Sequence, residues 1–315
     1  MAATQTFAVN GIDMAVTIEG EGPLVILCHG WPELSFSWRH QIPALAAAGY
    51  RVAAPDMRGF GATSAPQDIG AYTLFHNVGD IVALVAALGE TRAAIVGHDW
   101  GAPVAWHCAM FRPDLFPVVA ALSVPLGRRA RAKPLEALKA AGITWFYWHY
   151  FQEPGVAEAE FEADVERTMR LITYGRGGLG LVLKPGGKFL DAGVIPETMP
   201  AWLDEASLAH MVAVYRKTGF RGGLNWYRNI DRNWELTAPW QDAKINQPAL
   251  FVAGSKDPVI RGPIGEKSLG DLETLVPNLR DKIVLDGAGH WIQQERPADV
   301  NAALIRFLRS EYRTA

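Results

Sequence analysis

Asp99 is the residue of this sequence whose surroundings most clearly predict chemistry. It lies in Ala93-Ala-Ile-Val-Gly-His-Asp-Trp-Gly-Ala102, where an apolar run is followed by a tight turn and then by a helical pattern. Gly97 and Gly101 have the spacing of a nucleophile elbow, in which flanking glycines permit a strained turn that exposes the central side chain. An aspartate in this position can also cap the N-terminus of the following helix, and the two roles are compatible.

Two further residues complete a catalytic set with Asp99. Asp257 follows one apolar run in Ala253-Gly-Ser-Lys-Asp-Pro258, and His290 follows the next in Leu285-Asp-Gly-Ala-Gly-His-Trp291. Residues just past the C-terminal ends of parallel strands meet along one edge of the sheet. A nucleophile, an acid and a histidine in this chain order predict a triad in which Asp257 orients His290. Several such residues, each at a predicted strand end, favour the nucleophile interpretation of Asp99 over the capping one.

Backbone donors for an oxyanion are predicted beside this set. His29-Gly-Trp-Pro32 follows the apolar run that ends at Cys28, and its Trp31 N–H would lie near the same edge. The residue after the nucleophile, Trp100, supplies a second N–H. Two N–H groups aimed at one oxygen stabilise the negative charge that develops there.

The chemical type of the nucleophile restricts the reaction. A serine that attacks an sp³ carbon forms an ether, which activated water does not cleave, whereas a carboxylate forms an alkyl ester that water can attack. Asp99 therefore predicts an epoxide or an alkyl halide as substrate, with His290 as the base that activates the water. An opening epoxide needs a proton donor for its oxygen, whereas a departing halide needs N–H donors and no proton.

The elements that position these residues alternate between strands and helices. Apolar runs of strand length occupy residues 24–28, 50–54, 93–96, 248–253 and 282–285. Helical patterns occupy residues 74–88, 103–111 and 297–308. Strands that are apolar on both faces and alternate with helices indicate a mostly parallel sheet covered on both sides, so we predict an α/β fold.

The middle of the chain has a different pattern, with helical stretches at 156–172 and 207–217 and no convincing strand. We therefore predict a discontinuous core domain, residues 1–128 and 238–315, that carries a helical cap domain, residues 129–237. Six of the 11 tryptophans lie between residues 145 and 240. This concentration predicts an aromatic-walled pocket for bulky apolar or aryl substrates, and Trp100, Trp148 and Trp291 are the expected substrate contacts.

These motifs resemble those of the soluble epoxide hydrolases over nearly the whole chain. The core motifs are those at His29, Asp56-Met-Arg-Gly-Phe-Gly61, Gly97, Lys256-Asp-Pro258 and Gly289-His-Trp291. The cap motifs are Tyr147-Trp-His-Tyr-Phe-Gln-Glu-Pro-Gly155 and Gly219-Phe-Arg-Gly-Gly-Leu-Asn-Trp-Tyr-Arg-Asn229. The resemblance implies the α/β-hydrolase fold and conversion of an epoxide to a vicinal diol. It also implies a cis Trp31–Pro32 bond, and the N-terminal phosphatase domain of vertebrate members is not expected.

The resemblance also assigns the proton donors. It selects Tyr147 and Tyr227 as the pair that grips the epoxide oxygen, with Tyr150 as the alternative if the register is shifted. The core motifs alone also fit haloalkane dehalogenases, in which Trp100 would supply an indole N–H to the halide. Haloalkane dehalogenation is therefore the alternative activity.

The composition restricts partners and location. The chain has 315 residues with 30 Lys+Arg and 33 Asp+Glu, a net charge of −3 that gives no basic excess for nucleic acid. It has no secretory signal at its start and no apolar run near the ~20 residues that a membrane span needs. Residues 175–180 match G-x-G-x-x-G but follow no strand, so no dinucleotide, other cofactor or metal is predicted. We expect a cytoplasmic protein, for which a homodimer is compatible with the sequence.

Overall fold

A computed structural model of the chain describes residues 3–176, 183 and 186–312. Within them, one sheet contains the strands β1 (Ala3–Val9), β2 (Ile12–Glu19), β3 (Leu24–Cys28), β4 (Arg51–Pro55), β5 (Ala94–His98), β6 (Val119–Leu122), β7 (Ala249–Gly254) and β8 (Leu279–Leu285). Their order across the sheet is β1-β2-β4-β3-β5-β6-β7-β8. β2 is antiparallel to both of its neighbours, and all other pairs are parallel. The prediction of a mostly parallel sheet is confirmed.

Fourteen α-helices accompany the sheet in the described part of the chain. Those before β7 are α1 (Gln41–Ala47), α2 (Leu74–Ala87), α3 (Gly101–Phe111), α4 (Pro134–Ala140), α5 (Tyr147–Tyr150), α6 (Val156–Ala163), α7 (Val165–Tyr174), α8 (Glu205–Thr218), α9 (Arg221–Arg228) and α10 (Ile230–Leu236). Those after β7 are α11 (Pro258–Arg261), α12 (Pro263–Leu275), α13 (Ile292–Glu295) and α14 (Pro297–Glu311). None of them combines the length and the apolar composition that a bilayer crossing requires.

The central strands are buried on both faces, which explains their uninterrupted apolar runs. Along β3, Val25 packs into one hydrophobic core and Ile26 into the other. β5 repeats this alternation with Ile95 and Val96. Because successive side chains of a strand point to opposite faces, a covered sheet needs apolar residues at every position.

Two local features differ from the sequence expectations. The helical pattern at 156–172 is divided into α6 and α7, because the Asp164 side chain accepts the Arg167 N–H at 3.0 Å and caps a new helix. The strands β1, β2 and β6 were not predicted. The G-x-G-x-x-G segment lies mostly outside the described residues, which exclude 177–180.

We propose that residues 129–237 form the cap domain, since α4 to α10 all lie between β6 and β7. The cap packs closely on the loop that follows β4. A side chain on Gly222 would place its Cβ 2.0 Å from the Gly59 carbonyl oxygen, so only glycine permits this approach. Trp226 donates its indole N–H to the Arg58 carbonyl at 3.0 Å.

A buried ion pair supports this loop from the core side. Arg58 donates from Nη2 to Asp80 Oδ1 at 2.5 Å and from Nε to Asp80 Oδ2 at 2.8 Å. Asn10 Nδ2 adds a third hydrogen bond to Asp80 at 2.8 Å. Both charged side chains are almost fully inaccessible to solvent.

Replacing Asp80 by asparagine should therefore lower the free energy of unfolding by about 3–5 kcal/mol, because Arg58 would remain buried without a counter-charge. Glu90→Gln is the matched control, since it removes the partner of the partly exposed Arg51 at 3.3 Å and should cost at most about 1 kcal/mol. Denaturant unfolding followed by circular dichroism measures both. Equal losses would show that burial does not determine the strength of these pairs.

Candidate active site

Asp99 occupies a strained turn between β5 and α3, with a positive φ of 49° that non-glycine residues seldom adopt. The glycines on either side are sterically required. A Cβ on Gly97 would lie 2.0 Å from the Gly101 carbonyl oxygen, and one on Gly101 would lie 2.1 Å from the Cys28 carbonyl oxygen. The turn therefore fits the spacing of a nucleophile elbow and places the Asp99 carboxylate at the end of β5.

The structure brings Asp99, Asp257 and His290 together at the carboxyl edge of the sheet. His290 Nε2 lies 3.5 Å from Asp99 Oδ2. On the other side of the ring, Nδ1 lies 3.0 Å from Asp257 Oδ1 and 3.2 Å from Oδ2. Asp257 also accepts the Val259 N–H at 2.9 Å, which caps α11 and orients the carboxylate. The imidazole is thus held between two carboxylates.

Burial and charge act in opposite directions on this group. Burial disfavours the imidazolium, but Asp257 and Asp99 outweigh it and raise the pKa of His290 well above its ordinary value. Burial likewise favours a neutral Asp257, but the charge and hydrogen bond of His290 hold the pKa of that carboxyl below its ordinary value. Asp257 and His290 therefore form an ion pair, and the pKa of His290 depends in part on the charge of Asp99.

One predicted oxyanion donor binds the resting nucleophile. The Trp31 N–H donates to Asp99 Oδ1 at 2.7 Å, and the Trp31–Pro32 peptide is cis, as the resemblance implied. Trp100, the other predicted donor, directly precedes α3. The Trp31 hydrogen bond therefore holds Asp99 Oδ1 in place, while Oδ2 faces His290 Nε2.

The two predicted proton donors lie next to each other in the cap. The ring centroids of Tyr147 and Tyr227 are 5.8 Å apart. Burial, together with the nearby Asp99 charge, raises the pKa of both phenols, which keeps them protonated at neutral pH. Tyr150 instead donates its hydroxyl to Glu160 at 2.6 Å, so it is engaged elsewhere in the cap.

Aromatic rings connect these phenols to the elbow. The Tyr227 ring packs edge-on against Trp31, at 5.5 Å between centroids, and against Trp100, at 5.1 Å. Trp148 adjoins Tyr147, and its buried indole N–H has no hydrogen-bond partner among the described residues. Trp291 packs 4.6 Å from the His290 ring and donates its indole N–H to the Thr173 carbonyl at 2.5 Å, which links the base to the cap.

Ser123 belongs to this site but was missed from the sequence. It directly follows β6, and its hydroxyl lies 2.8 Å from His290 Nδ1 and donates to Asp257 Oδ2. The missed signal was the apolar run Val118-Val-Ala-Ala-Leu122, which has the length of a buried strand and ends at this serine.

A second missed feature is a buried network behind His290. His98 Nδ1 lies 2.7 Å from Glu33 Oε2, and its Nε2 lies 2.8 Å from the His290 carbonyl oxygen. The carboxylate accepts three more hydrogen bonds, from Gly30, Gln293 and Gln294. This network fixes the backbone that carries the base.

Replacing Glu33 by glutamine should remove a pH-dependent part of the stability. Burial opposes the charge of Glu33, yet His98 outweighs it and holds the pKa at about 2, below the usual 4.5. Because the pKa of Glu33 is lower in the folded protein than in the unfolded chain, its ionised form stabilises the fold fully above pH 4.5. This contribution, about 3 kcal/mol of unfolding free energy, is lost as the pH falls towards 2.

Denaturant unfolding at several pH values measures this contribution. Wild type should lose more stability than Glu33→Gln between these two pH limits, whereas the exposed control Glu21→Gln should follow wild type. Parallel curves for wild type and Glu33→Gln would contradict the assignment.

Comparison with known proteins identifies the family to which this chain belongs. A family described as alpha/beta hydrolase fold matches residues 23–297. Epoxide hydrolase A of Mycobacterium tuberculosis (strain ATCC 25618 / H37Rv) is 46% identical over 309 residues, which cover 95% of each chain. Epoxide hydrolase 2 of Siraitia grosvenorii is 42% identical over 308 residues, 96% of this chain and 97% of the relative.

Solved structures agree with these relatives. The crystal structure of Epoxide Hydrolase A from Mycobacterium thermoresistibile covers 100% of both chains, with 45% identity and a TM-score of 0.92. Among the described residues, no group of three or more His, Cys, Asp or Glu side chains is arranged to hold a metal ion. The match over nearly the full length of both chains makes this protein a member of the epoxide hydrolases with the α/β-hydrolase fold.

Proposed function

We propose that this epoxide hydrolase works through a covalent alkyl ester on Asp99. The observation that carries the proposal is the position of its carboxylate. Oδ1 accepts the Trp31 N–H, and Oδ2 faces His290 Nε2 at 3.5 Å. One oxygen is thus held for the later oxyanion, and the other is available as the nucleophile.

In the first step, Asp99 Oδ2 attacks a ring carbon of the epoxide and the C–O bond of that carbon breaks. The electron pair of the broken bond moves to the epoxide oxygen. Tyr147 and Tyr227 hydrogen-bond this oxygen, and one of them transfers its proton to it. Their raised pKa values keep both donors protonated until the oxygen becomes basic enough to take the proton.

The second step begins with a change in the base. Formation of the ester removes the negative charge of Asp99, which is one of the groups that raise the pKa of His290. The imidazolium becomes easier to deprotonate, and its proton restores the phenolate that the first step left to a phenol. His290 is then neutral and acts as the base for the next step. It takes a proton from water, and the resulting hydroxide attacks the ester carbonyl.

The oxyanion of this attack forms on Oδ1, where the N–H groups of Trp31 and Trp100 would both donate to it. Collapse breaks the bond between the Asp99 carbonyl carbon and the former Oδ2, which takes the proton from the His290 imidazolium and leaves as part of a vicinal diol. The new Asp99 carboxylic acid returns a proton to His290, so the carboxylate and the imidazolium are both restored. The water oxygen remains on Asp99. Asp257 stabilises the imidazolium throughout this half-reaction.

The substrate class follows from the walls of the site. The aromatic rings beside Tyr147 pack against one another, and they belong to Trp31, Trp100, Phe151 and Tyr227. These rings carry no charge, so they favour an uncharged ligand. We therefore propose apolar or aryl epoxides as substrates, with further contacts from Trp148 and Trp291.

A paired assay of styrene oxide and 1,2-dibromoethane tests this assignment against haloalkane dehalogenation. Styrene oxide should give phenylethanediol, and dibromoethane should release little bromide, because a leaving halide cannot use the phenol protons. Bromide release without diol formation would reverse the assignment.

The cytoplasmic location and the homodimer remain predictions from the sequence. Light scattering of the purified protein measures its mass and separates one chain from two.

A further inference from the structure

Ser123 completes a series of polar residues at one edge of the sheet. β5, β6, β7 and β8 are consecutive neighbours. Their C-terminal ends lead in the same order to Asp99, Ser123, Asp257 and His290. The strand between those of the nucleophile and the acid therefore places a hydroxyl between these groups, although the proposed reaction does not use it directly.

The hydrogen bonds of Ser123 can be assigned by counting protons. An ionised Asp257 has no proton, so the contact between Ser123 Oγ and Asp257 Oδ2 must use the hydroxyl proton. The hydroxyl oxygen then has only lone pairs to offer His290 Nδ1, 2.8 Å away. Nδ1 must consequently carry a proton, and the lone pair of a neutral His290 lies on Nε2, which faces Asp99.

The backbone holds Ser123 in an unusual conformation. Its φ of 71° is positive although it is not a glycine, and its N–H donates to the Val252 carbonyl at 2.9 Å. The residue is fully buried. Such a conformation persists where the surroundings impose it, and here it directs the hydroxyl between the acid and the base.

We propose that Ser123 is a positioning residue that keeps the Nδ1 proton of His290 in place and leaves Nε2 as the base for ester hydrolysis. This inference rests on the proposed two-step mechanism. It assigns the hydroxyl to the second step, because only that step uses His290 as a base.

Other titratable groups lie around His290, and the test must be interpreted with them in place. Asp257 and Asp99 face its two nitrogens, and the His98 ring, paired with Glu33, packs 4.9 Å away. From the cap, Tyr147 is influenced by both aspartates. All of these side chains are retained in a Ser123 variant, so a shift in the pH profile reports on the loss of the hydroxyl and of its hydrogen bonds.

Two variants separate the hydroxyl from the backbone conformation. Ser123→Ala removes the hydroxyl and keeps the Cβ at positive φ, whereas Ser123→Gly removes the hydroxyl and relieves the strain. Rapid mixing of excess enzyme with styrene oxide, followed by acid quench and intact-protein mass, measures ester formation and decay at several pH values.

In both variants we expect ester formation within about two-fold of wild type and decay slower by about ten-fold, the effect of losing one hydrogen bond to a charged group. The apparent pKa of the decay should rise by about one unit. The direction follows because Ser123 normally helps to lower the pKa of Asp257. Without this donor, the carboxylate holds the proton of His290 more tightly.

A double-variant comparison connects the effect to Asp257. In an Asp257→Asn background, Ser123→Ala should change the decay by less than about two-fold, since no carboxylate remains to receive the hydroxyl proton. Three results would overturn the inference: an unchanged decay profile in Ser123→Ala, a normal decay in Ser123→Gly alone, or full additivity with Asp257→Asn. Absence of any ester in wild type would instead contradict the two-step mechanism.

Discussion

Replacing His290 by glutamine should convert the enzyme into one that opens a single epoxide and then stops. Ring opening needs the Asp99 carboxylate and the phenols, whereas hydrolysis of the ester needs a base next to the water. Glutamine preserves polarity but cannot take a proton, so steady-state turnover should fall by roughly 10²- to 10⁴-fold. A burst of epoxide consumption equal to the enzyme concentration should precede the block.

Intact-protein mass after the burst measures this state directly. The protein should gain the mass of one substrate molecule, located on the peptide that contains Asp99. His107→Gln is a suitable control, because this histidine bonds the Pro103 carbonyl within α3 at 2.7 Å and should leave turnover unchanged. Continued diol release by His290→Gln at the wild-type rate would remove His290 from the mechanism.

Removing both phenol hydroxyls should block the first step instead. A Tyr147→Phe/Tyr227→Phe enzyme retains the rings but has no proton for the opening oxygen, so ester formation should slow by roughly 10²- to 10⁴-fold. Each single variant should lose less, because the remaining phenol can still donate. No ester should accumulate in the double variant, which distinguishes it from His290→Gln.

Tyr150→Phe is the matched control for this pair. Its hydroxyl bonds Glu160 at 2.6 Å, so its loss should affect the cap locally and leave ester formation near the wild-type rate. Rapid-quench measurement of ester formation compares the wild type with these four variants. If Tyr150→Phe lost ester formation while the double variant kept it, the register assigned to the cap motif would be wrong.

Much of the fold could be predicted because the central strands are buried on both faces. β3 was predicted with the bounds that the structure has, and β5 and β7 within two residues. β1 was missed because its side chains are mostly exposed and give no apolar run. β6 lies in an apolar run of strand length, Val118–Leu122, that was overlooked in the sequence.

The candidate site could be predicted only where a residue type itself implies chemistry. Asp99 and His290 follow apolar runs and have reactive side chains, so spacing and strand ends were sufficient to find them. Ser123 and Glu33 are defined by partners that are far away in the chain. Tyr147 could not be separated from Tyr150 by spacing, since packing within the cap determines which hydroxyl bonds Glu160.

The covalent ester on Asp99 is the central claim, and isotope labelling in a single turnover tests it most directly. Excess enzyme is mixed with an epoxide in H₂¹⁸O, and the peptide containing Asp99 is then analysed by mass spectrometry. The mechanism predicts that ¹⁸O enters the Asp99 carboxylate and that the first diol carries no label. Label in the diol with none in Asp99 would show that water attacks the epoxide directly and would contradict the account.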